Sequence, residues 1–369
     1  MSKKILITAG GTGGHVFPAQ GFAQKLKRDH MQKDILFVAG GLNSNRYFDR
    51  TLFPYNEVAC SPIFSKNPLK LAKGAVNLIR GFLQSLKIIK NYKPDVVVGF
   101  GSYYTIPMLL AAKFTRTPIV LHEANSIPGK ANKWFAPFSK SVGVHFPSTC
   151  SLFKGNAIEV GMPMREGFAR SDISRETAHE YFGLDPNNFT LLIFGGSQGA
   201  KGINRLIKEI VEDGLNLNIQ IIHCTGDEES AERFKSLYAQ EGIKASVKAF
   251  EKQMNYAWSA ANAFIGRSGA STIAEAMEFE VPGIMIPYPY AAENHQETNA
   301  DFLVDTVGGG VKLIESKLTS GQLKKEIVAL IHQDMIDKKR AAIRSYKKNP
   351  SRIDLCELVL NVVNNTEKK

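Results

Sequence analysis

The sequence predicts an α/β protein made of two Rossmann-like, doubly wound parallel-sheet domains. Three observations carry this. The chain has 369 residues, the length of two domains of roughly 150–200 residues each. Short β-branched runs alternate with longer segments of helical periodicity, the pattern of a parallel sheet wound with crossover helices. The opening "KILITAGGTGGH" is echoed by "TLLIFGGSQGAKGIN", and the pairs Gly10–Gly11 and Gly195–Gly196 stand 185 residues apart, about half the chain.

In order along the chain, the strand-like runs are "ILITAG", "DILFVAG", "DVVVGFG", "PIVLHE", "TLLIFGG", "IQIIHCTG", "AFIGR" and "PGIMIPY". Segments 16–30, 72–92 and 200–213 place apolar residues three and four apart and read as helices. Composition changes at "VGMPMREGFARSD" (160–172), the expected hinge. This divides the chain into an N-terminal domain, 1–162, and a C-terminal domain, 163–349. The tail "SRIDLCELVLNVVNN" reads as an amphipathic helix, and segment 350–369 is expected to pack back on the first domain.

Hydrophobic content of 44% and charged content of 22% fit a globular protein with a real core. Cysteines 60, 150, 224 and 356 form no CxxC pair, so free buried thiols are expected. The opening lacks the apolar core and cleavage site of a signal peptide. The uncharged stretch Val96 to Ala112 is interrupted by Gly99, Gly101 and Pro107 and does not read as a membrane span. The net charge of +11 is uneven: residues 1–160 hold 21 Lys/Arg against 7 Asp/Glu, and the remainder 25 against 28. The basic half calls for an anionic partner: a phosphate, a nucleic acid or an acidic membrane.

Strand, glycine turn, helix is a geometry for phosphate, because the backbone approaches closely and unpaired helix N–H groups point at the anion. After Gly11 and Gly13 the third glycine of a dinucleotide fingerprint is replaced by Val16, and no G-K-[ST] closes either turn. Each turn alone also suits a ligand-free α/β corner. Two of them point to a cleft ligand. His15 follows the first turn, at the carboxyl end of the first strand, where imidazole can act as a general base on a hydroxyl. "PIVLHEANSIPGKANKW" sets His122, Glu123 and Asn125 after an apolar run, where they are expected to face solvent or a ligand. "FIGRSGASTIAEAM" sets Arg267, Ser268 and Gly269 before a helix holding Glu275, a carboxylate placed to accept two hydrogen bonds from ribose hydroxyls or simply to cap the helix. "PYPYAAENHQETNA" places His295 and Gln296 in a polar loop, and Arg165 lies at the hinge, either clamping a diphosphate or on the surface.

In order, "GGTGGHVFPA", "HEAN", "GMPMR", "GGSQGA", "RSGASTIAEA" and "HQETNA" resemble the motifs of the MurG family, GT-B-fold N-acetylglucosaminyltransferases of peptidoglycan synthesis. The resemblance runs from residue 8 to about 300. It implies GT-B architecture and inverting transfer of GlcNAc from UDP-GlcNAc to the MurNAc 4-hydroxyl of undecaprenyl-diphospho-MurNAc-pentapeptide (lipid I), giving lipid II. It implies donor contacts from Thr12, Gly13, Gly14, Asn125, Arg165, Ser197 and Gln296. Ala270, Ser271, Thr272, Ile273, Ala274 and Glu275 would lie around the nucleotide, with Glu275 on the ribose. His15 is the expected general base and His122 its rival. No cofactor and no metal are implied, and no DxD carboxylate pair stands ready to hold one. At one position the chain departs: after "AF", where the family carries an apolar residue with its backbone on uracil, stands Glu251.

The acceptor implies a peripheral enzyme on the cytoplasmic face of the bacterial inner membrane. "NPLKLAKGAVNLIRGFLQSLKIIKNYKPD" supplies Lys70, Lys73, Arg80, Lys87, Lys90 and Lys93, with Lys66 just before it, and no acid until Asp95. Val76, Ile79, Leu83 and Leu86 share a helical face with Phe82 beside it, so Val76, Ile79, Phe82, Arg80 and Lys73 are the expected membrane-facing residues. The same stripe also fits a core face with a solvated outer surface. Competing readings are another GT-B UDP-sugar enzyme (a glycolipid transferase or a UDP-GlcNAc 2-epimerase) and a non-catalytic nucleotide-binding membrane module. A nucleic-acid partner is disfavoured, since no RNP, helix-turn-helix or zinc spacing accompanies the charge.

Overall fold

The computed structural model describes residues 3–31, 34–61, 68–196, 200–215, 217–348 and 352–366. The chain forms two compact units, one of residues 1–166 with 350–369 and the other of residues 167–349.

In the first unit the elements run β1 (Ile5–Thr8), α1 (Gly13–Asp29), β2 (Ile35–Ala39), β3 (Tyr55–Glu57), α2 (Pro68–Tyr92), β4 (Val96–Gly99), α3 (Ile106–Phe114), β5 (Ile119–Glu123), α4 (Lys130–Phe135), β6 (Ser141–Val144) and β7 (Ala157–Glu159). The sheet is parallel throughout, in the order β3-β2-β1-β4-β5-β6-β7. The β1 run is apolar from Ile5 to Ile7 because both its faces are covered, and Thr8 at its end is buried too. Ile5 and Ile7 enter a core with Val16, Ala19, Phe22 and Leu26 of α1. Leu6 enters the opposite core with Ile89 of α2 and Ile106, Met108 and Leu109 of α3. Such double coverage is what turns a parallel strand into an uninterrupted hydrophobic run.

In the second unit come α5 (Arg175–Phe182), β8 (Phe189–Phe194), α6 (Lys201–Glu212), β9 (Ile219–Cys224), α7 (Glu228–Gln240), β10 (Ala245–Lys248), α8 (Met254–Ala260), β11 (Ala263–Gly266), α9 (Ala270–Phe279), β12 (Gly283–Met285), α10 (His295–Asp301), β13 (Gly310–Lys312), α11 (Ser320–Ile331) and α12 (Gln333–Lys347). Its six strands are parallel in the order β10-β9-β8-β11-β12-β13. Leu191 and Ile193 pack against Ile203, Leu206 and Ile207 of α6 and Leu323 and Ile327 of α11. On the other side, Trp258 of α8 sets its ring 5.4 Å from Phe194 and 5.1 Å from Phe264.

The strand order reverses between β1 and β4 in one unit and between β8 and β11 in the other. At such switch points the two crossovers leave in opposite directions and open a crevice at the carboxyl ends of the strands. Each glycine turn follows a strand at its unit's switch point.

The last helix, α13 (Leu355–Thr366), completes the first unit. Leu355, Leu358, Val359 and Val363 are buried in the core shared with α1, contributing about 1.5–3 kcal/mol each by area. Ile353 forms a parallel bridge to Val160, and Lys25 meets Asp354 at 2.7 Å. The four cysteines are free. Cys224 and Cys356 are buried, whereas Cys60 and Cys150 are half-buried, short of the full burial expected of all four.

Helix α2 packs by its small residues. A Cβ on Gly81 would stand 2.0 Å from the Ala59 carbonyl oxygen and 3.1 Å from Pro107 Cβ, so backbone meets backbone there. Ser85 and Ile89 are buried on the same side. The larger residues Val76, Ile79 and Leu83 are left 62%, 61% and 58% exposed, outside the core, whereas Leu86 of the same stripe and Phe82 beside it pack against the core. Lys73 and Arg80 are exposed as well, and Phe82 is half-buried with its ring edge-on to Phe114 at 5.8 Å. Lys66 and the side chain of Lys70 lie outside the described residues. Among the described residues no helix is long and apolar enough to cross a membrane.

Candidate active site

In the first unit the site grows from the turn between β1 and α1. Gly11 takes a left-handed backbone, and Thr12 is the N-cap of α1 with an extended backbone. The carbonyl of Thr12 accepts from His15 N and Val16 N, so the amides of Gly13 and Gly14 precede the first intrahelical bonds. The first turn holds no acidic residue, and a positive helix terminus is therefore presented at the switch point. The Thr12 hydroxyl does not cap the helix. It lies 3.2 Å from His15 Nδ1 instead.

His15 is half-buried and leans on the turn after β4. Gly101 there has φ +81°, and a Cβ at that position would stand 3.3 Å from His15 Cδ2, 3.5 Å from Nε2 and 3.4 Å from Asn132 Nδ2. Only glycine both adopts this backbone without cost and leaves the imidazole its place.

His122 is different. It is 1% exposed, its ring lies 5.1 Å from that of Phe100, and its Nε2 is enclosed without a hydrogen-bond partner. Burial, and secondarily the neighbouring His15, lower its pKa to about 3. It stays neutral at physiological pH and is enclosed away from solvent. Glu123 also points inward, contrary to the expectation of a solvent- or ligand-facing cluster. Its carboxylate accepts from Asn125 N at 3.0 Å, Gly129 N at 3.0 Å and Asn132 Nδ2 at 2.9 Å. Burial pushes its pKa up despite these bonds. The physical reason is that the loop after β5 folds back over the strand end and uses the carboxylate to gather its own amides. Asn132 also donates to the His122 carbonyl at 3.0 Å, so this amide ties the loop bearing Asn125 to the floor beneath His15. Arg165 lays its guanidinium over the Phe17 ring of α1 at 3.9 Å.

In the second unit, Gly195 and Gly196 follow β8, Gly196 with φ +80°. Ser197 lies outside the described residues. The better-defined feature is the turn from β11 into α9. Gly269 is the N-cap and has no side chain to offer, and no acidic residue occupies the first turn. The amides of Ala270, Ser271 and Thr272 therefore head this helix uncapped by any side chain, while Ile273 N bonds the Gly269 carbonyl. Ile273 and Ala274 are buried. Glu275, one turn in, accepts from the Trp258 indole Nε1 at 2.7 Å, which fixes the carboxylate's orientation. The Ser268 hydroxyl donates to the Gln296 carbonyl at 2.7 Å, and Gln296 Oε1 accepts from Tyr288 N at 3.0 Å. His295 and Gln296, expected in a loop, form the first turn of α10, and these bonds pin that turn to the head of α9. Arg267 turns inward and holds the Ile286 and Pro287 carbonyls and Glu315. The departing residue Glu251 is buried, with its carboxylate taken up by Lys248, Tyr181 and Gln253 N. Its side chain is directed into the unit and leaves its backbone as the group available there.

The structure thus gathers Thr12, Gly13, Gly14 and His15 at one switch point and Ala270 to Glu275 with Gln296 at the other. Sequence reasoning missed Gly101, Asn132 and Trp258. Each arrives from another strand or helix, and the one local signal was Asn132 in the polar continuation "GKANKW".

Residues 5–144 match the glycosyltransferase family 28 N-terminal domain and residues 190–354 its C-terminal domain. A UDP-N-acetylglucosamine--N-acetylmuramyl-(pentapeptide) pyrophosphoryl-undecaprenol N-acetylglucosamine transferase of Protochlamydia amoebophila is 61% identical over 98% of this chain and 96% of its own. The protein of that name in Chlamydia muridarum is 33% identical over 94% of this chain and 95% of its own. In fold, the chain is similar to the crystal structure of Acinetobacter baumannii MurG, with TM-score 0.74 at 24% identity over 98% of this chain and 99% of that one. It is also similar in fold to the UDP-GlcNAc 2-epimerase of Neisseria meningitidis, with TM-score 0.69 at 13% identity over 98% of this chain and all (100%) of that one.

Proposed function

Because this chain belongs to the MurG family within glycosyltransferase family 28, we propose that it transfers GlcNAc from UDP-GlcNAc to the MurNAc 4-hydroxyl of lipid I, yielding lipid II with inversion at the anomeric carbon. The observation that carries the mechanism is His15 held between Thr12 and Gly101 at the head of α1. With Nδ1–H donating to the Thr12 hydroxyl, Nε2 carries the basic lone pair. It takes the proton of the acceptor hydroxyl as that oxygen attacks the anomeric carbon from the face opposite UDP. General-base help of this kind contributes about 10²- to 10⁴-fold.

As the sugar–phosphate bond breaks, charge gathers on the diphosphate. The uncapped amides at the heads of α1 and α9, Ser197 and the Arg165 guanidinium are the groups assigned to it. Fixed donors of this type act on the charge that develops in the transition state. Glu275, oriented by Trp258, accepts the two ribose hydroxyls, while Asn125 and Gln296 are further donor contacts that the family resemblance assigns. Main-chain dipoles and a guanidinium supply the positive field at the diphosphate.

Lipid I is confined to the bilayer, and the acceptor-bearing unit must meet it. Val76, Ile79 and Leu83 stand in solvent with Lys73 and Arg80 around them and Phe114 73% exposed beside Phe82. Inserting the three aliphatic side chains is worth about 1.5–3 kcal/mol each as an upper bound, and each basic residue adds about 1 kcal/mol near an anionic surface. This supports peripheral attachment to the cytoplasmic leaflet.

The deciding experiment is product analysis with UDP-GlcNAc and a short-chain lipid I analogue. Lipid II and stoichiometric UDP are expected, with no UDP released when the acceptor is left out. UDP release that ignores the acceptor, or conversion of UDP-GlcNAc to its 2-epimer, overturns the assignment. His15→Ala is expected to lower kcat about 10²-fold or more with UDP affinity within twofold of wild type.

A further inference from the structure

The second unit contains a cavity of about 650 Å³ remote from the glycine turns, lined by Arg170, Ser174, Arg175, Trp258, Ser259, Asn262, Phe279 and Arg340 among others. Three of the lining residues are arginines, and none is a carboxylate. The cavity lies at the amino end of β11: Ser259 and Ala260 close α8 and lead into that strand at Ala263. The head of α9 follows the strand's other end, at Gly269. The strand itself separates the two by about 10 Å at 3.3 Å per residue.

Two of the guanidiniums, those of Arg175 and Arg340, are half-buried, with no carboxylate among their hydrogen-bond partners in the described residues. Arg175 is half-buried, and every acceptor it holds is neutral: the Pro186, Ala260 and Asn188 carbonyls and Asn262 Oδ1. Arg340 donates to the Glu280 carbonyl, and its ion-pair partner Asp337 is 3.9 Å away. Arg170 pairs with Glu280, whose carboxylate is already shared with Arg344 at 2.8 Å. Burial, and next the facing Arg340, hold Arg175 below the ordinary guanidinium range. Burial, and next Arg170, do the same to Arg340. Ser259 also lines the cavity. Half-buried like charges facing one another are a costly arrangement. A bound oxyanion relieves it, because guanidinium forks match phosphate oxygens.

We infer that this cavity is a second anion site, separate from the donor site, that takes a phosphate-class oxyanion, with diphosphate fitting the three positive charges better than monophosphate. The inference does not depend on the transferase reading, since it rests on the cavity's own residues.

Trp258 makes the site observable. Its ring lines the cavity and stacks at 18° on Phe279, and it holds Glu275 through Nε1. The chain has two tryptophans, so Trp134→Phe, at an exposed position, leaves Trp258 as the sole indole. In that background, with UDP saturating the donor site and ionic strength fixed with NaCl, pyrophosphate is titrated and Trp258 emission recorded. Saturable change is expected, with inorganic phosphate acting at higher concentration and acetate inert. Arg340→Gln should raise half-saturation at least tenfold. Arg170→Gln, at a more exposed position, should raise it severalfold and serves if Arg340→Gln fails to fold. The inference is overturned if there is no saturable change, if UDP abolishes it, if acetate reproduces it, or if it is unaltered in the folded arginine variants.

Discussion

Replacing Gly101 by alanine tests the most specific contact in the site. The substitution has two separable effects. The first is on the backbone: φ +81° costs an L-residue roughly 1–2 kcal/mol, partly offset by the smaller freedom of alanine in the unfolded chain, worth about 0.4–1 kcal/mol. A net loss of about 1 kcal/mol follows, or some 2–4 °C in Tm for a domain of this size. The second effect is on the imidazole. The new methyl would sit 3.3 Å from His15 Cδ2 and 3.4 Å from Asn132 Nδ2, so the ring must retreat by a few tenths of an ångström. If a 1 Å misplacement costs about 10²-fold in rate, this retreat costs roughly tenfold. The assay is steady-state transfer to a soluble lipid I analogue. kcat should fall about tenfold, with KM for UDP-GlcNAc little changed. The decisive comparison is the cycle with His15→Ala. Once the imidazole is gone, Gly101→Ala should cost no further rate, while its effect on Tm remains. A tenfold loss that persists in the His15→Ala background would refute the idea that Gly101 works by leaving room for His15.

The other predictions concern separate parts of the molecule. His122 and His223 both have pKa values lowered to about 3 by burial. The unfolded chain therefore binds protons that the native state refuses between pH 6.5 and 3, and stability present above pH 6.5 falls with acid by about 1.4 kcal/mol per pH unit for each group. Urea titrations at pH 7 and 5 should show this loss, and His223→Phe should show a smaller one. Glu275→Gln removes the charged acceptor for ribose while leaving Trp258 an oxygen to bond. Calorimetry should find UDP bound about 10- to 100-fold more weakly, as loss of a charged hydrogen bond implies, and 2′-deoxy-UDP should be affected less. Ile79→Asp, on the exposed face of α2, should lower sedimentation with anionic vesicles at least tenfold and leave UDP affinity intact. Binding of wild type should weaken with added salt. Equal binding to neutral vesicles at high salt would count against an electrostatic share in the attachment.

The fold was legible where a covered strand is also a continuous apolar run; β6 is buried throughout, but Ser141 and Gly143 interrupt its run. The eight runs read from the sequence are β1, β2, β4, β5, β8, β9, β11 and β12, which form the contiguous middle of each sheet. Those not read are β3, β6, β7, β10 and β13, at or next to the edges. Tyr55–Glu57 and Ala157–Glu159 are three residues long and half-exposed. Such strands need no continuous apolar run, so their pairing is fixed by the neighbouring strand rather than by their own composition. The orientation of α2 was hidden for a related reason. Apolar periodicity marks a stripe, but it does not say that Gly81 and Ser85 form the buried side. That is set by the Ala59 carbonyl, which lies too close to admit any side chain.

The candidate site divides along the same physical line. His15 was visible because a strand end, a glycine turn and an imidazole are consecutive in the chain, and local geometry carries the inference. What makes His15 usable is not consecutive with it. Gly101 comes from the end of β4 and Asn132 from α4, and both are placed by the parallel order β1-β4-β5. His122 and Glu123 looked equally functional, since polar residues after an apolar run ordinarily emerge into solvent. They stay inside because Asn132 and the amides of Asn125 and Gly129 satisfy Glu123 there, and because His122 is discharged by burial. The two histidines therefore take opposite fates through one difference: the head of α1 stands at the open switch point, whereas the end of β5 is roofed by its own loop. An imidazole in the first place can exchange a proton with a bound hydroxyl. In the second it supports the floor on which the first one rests.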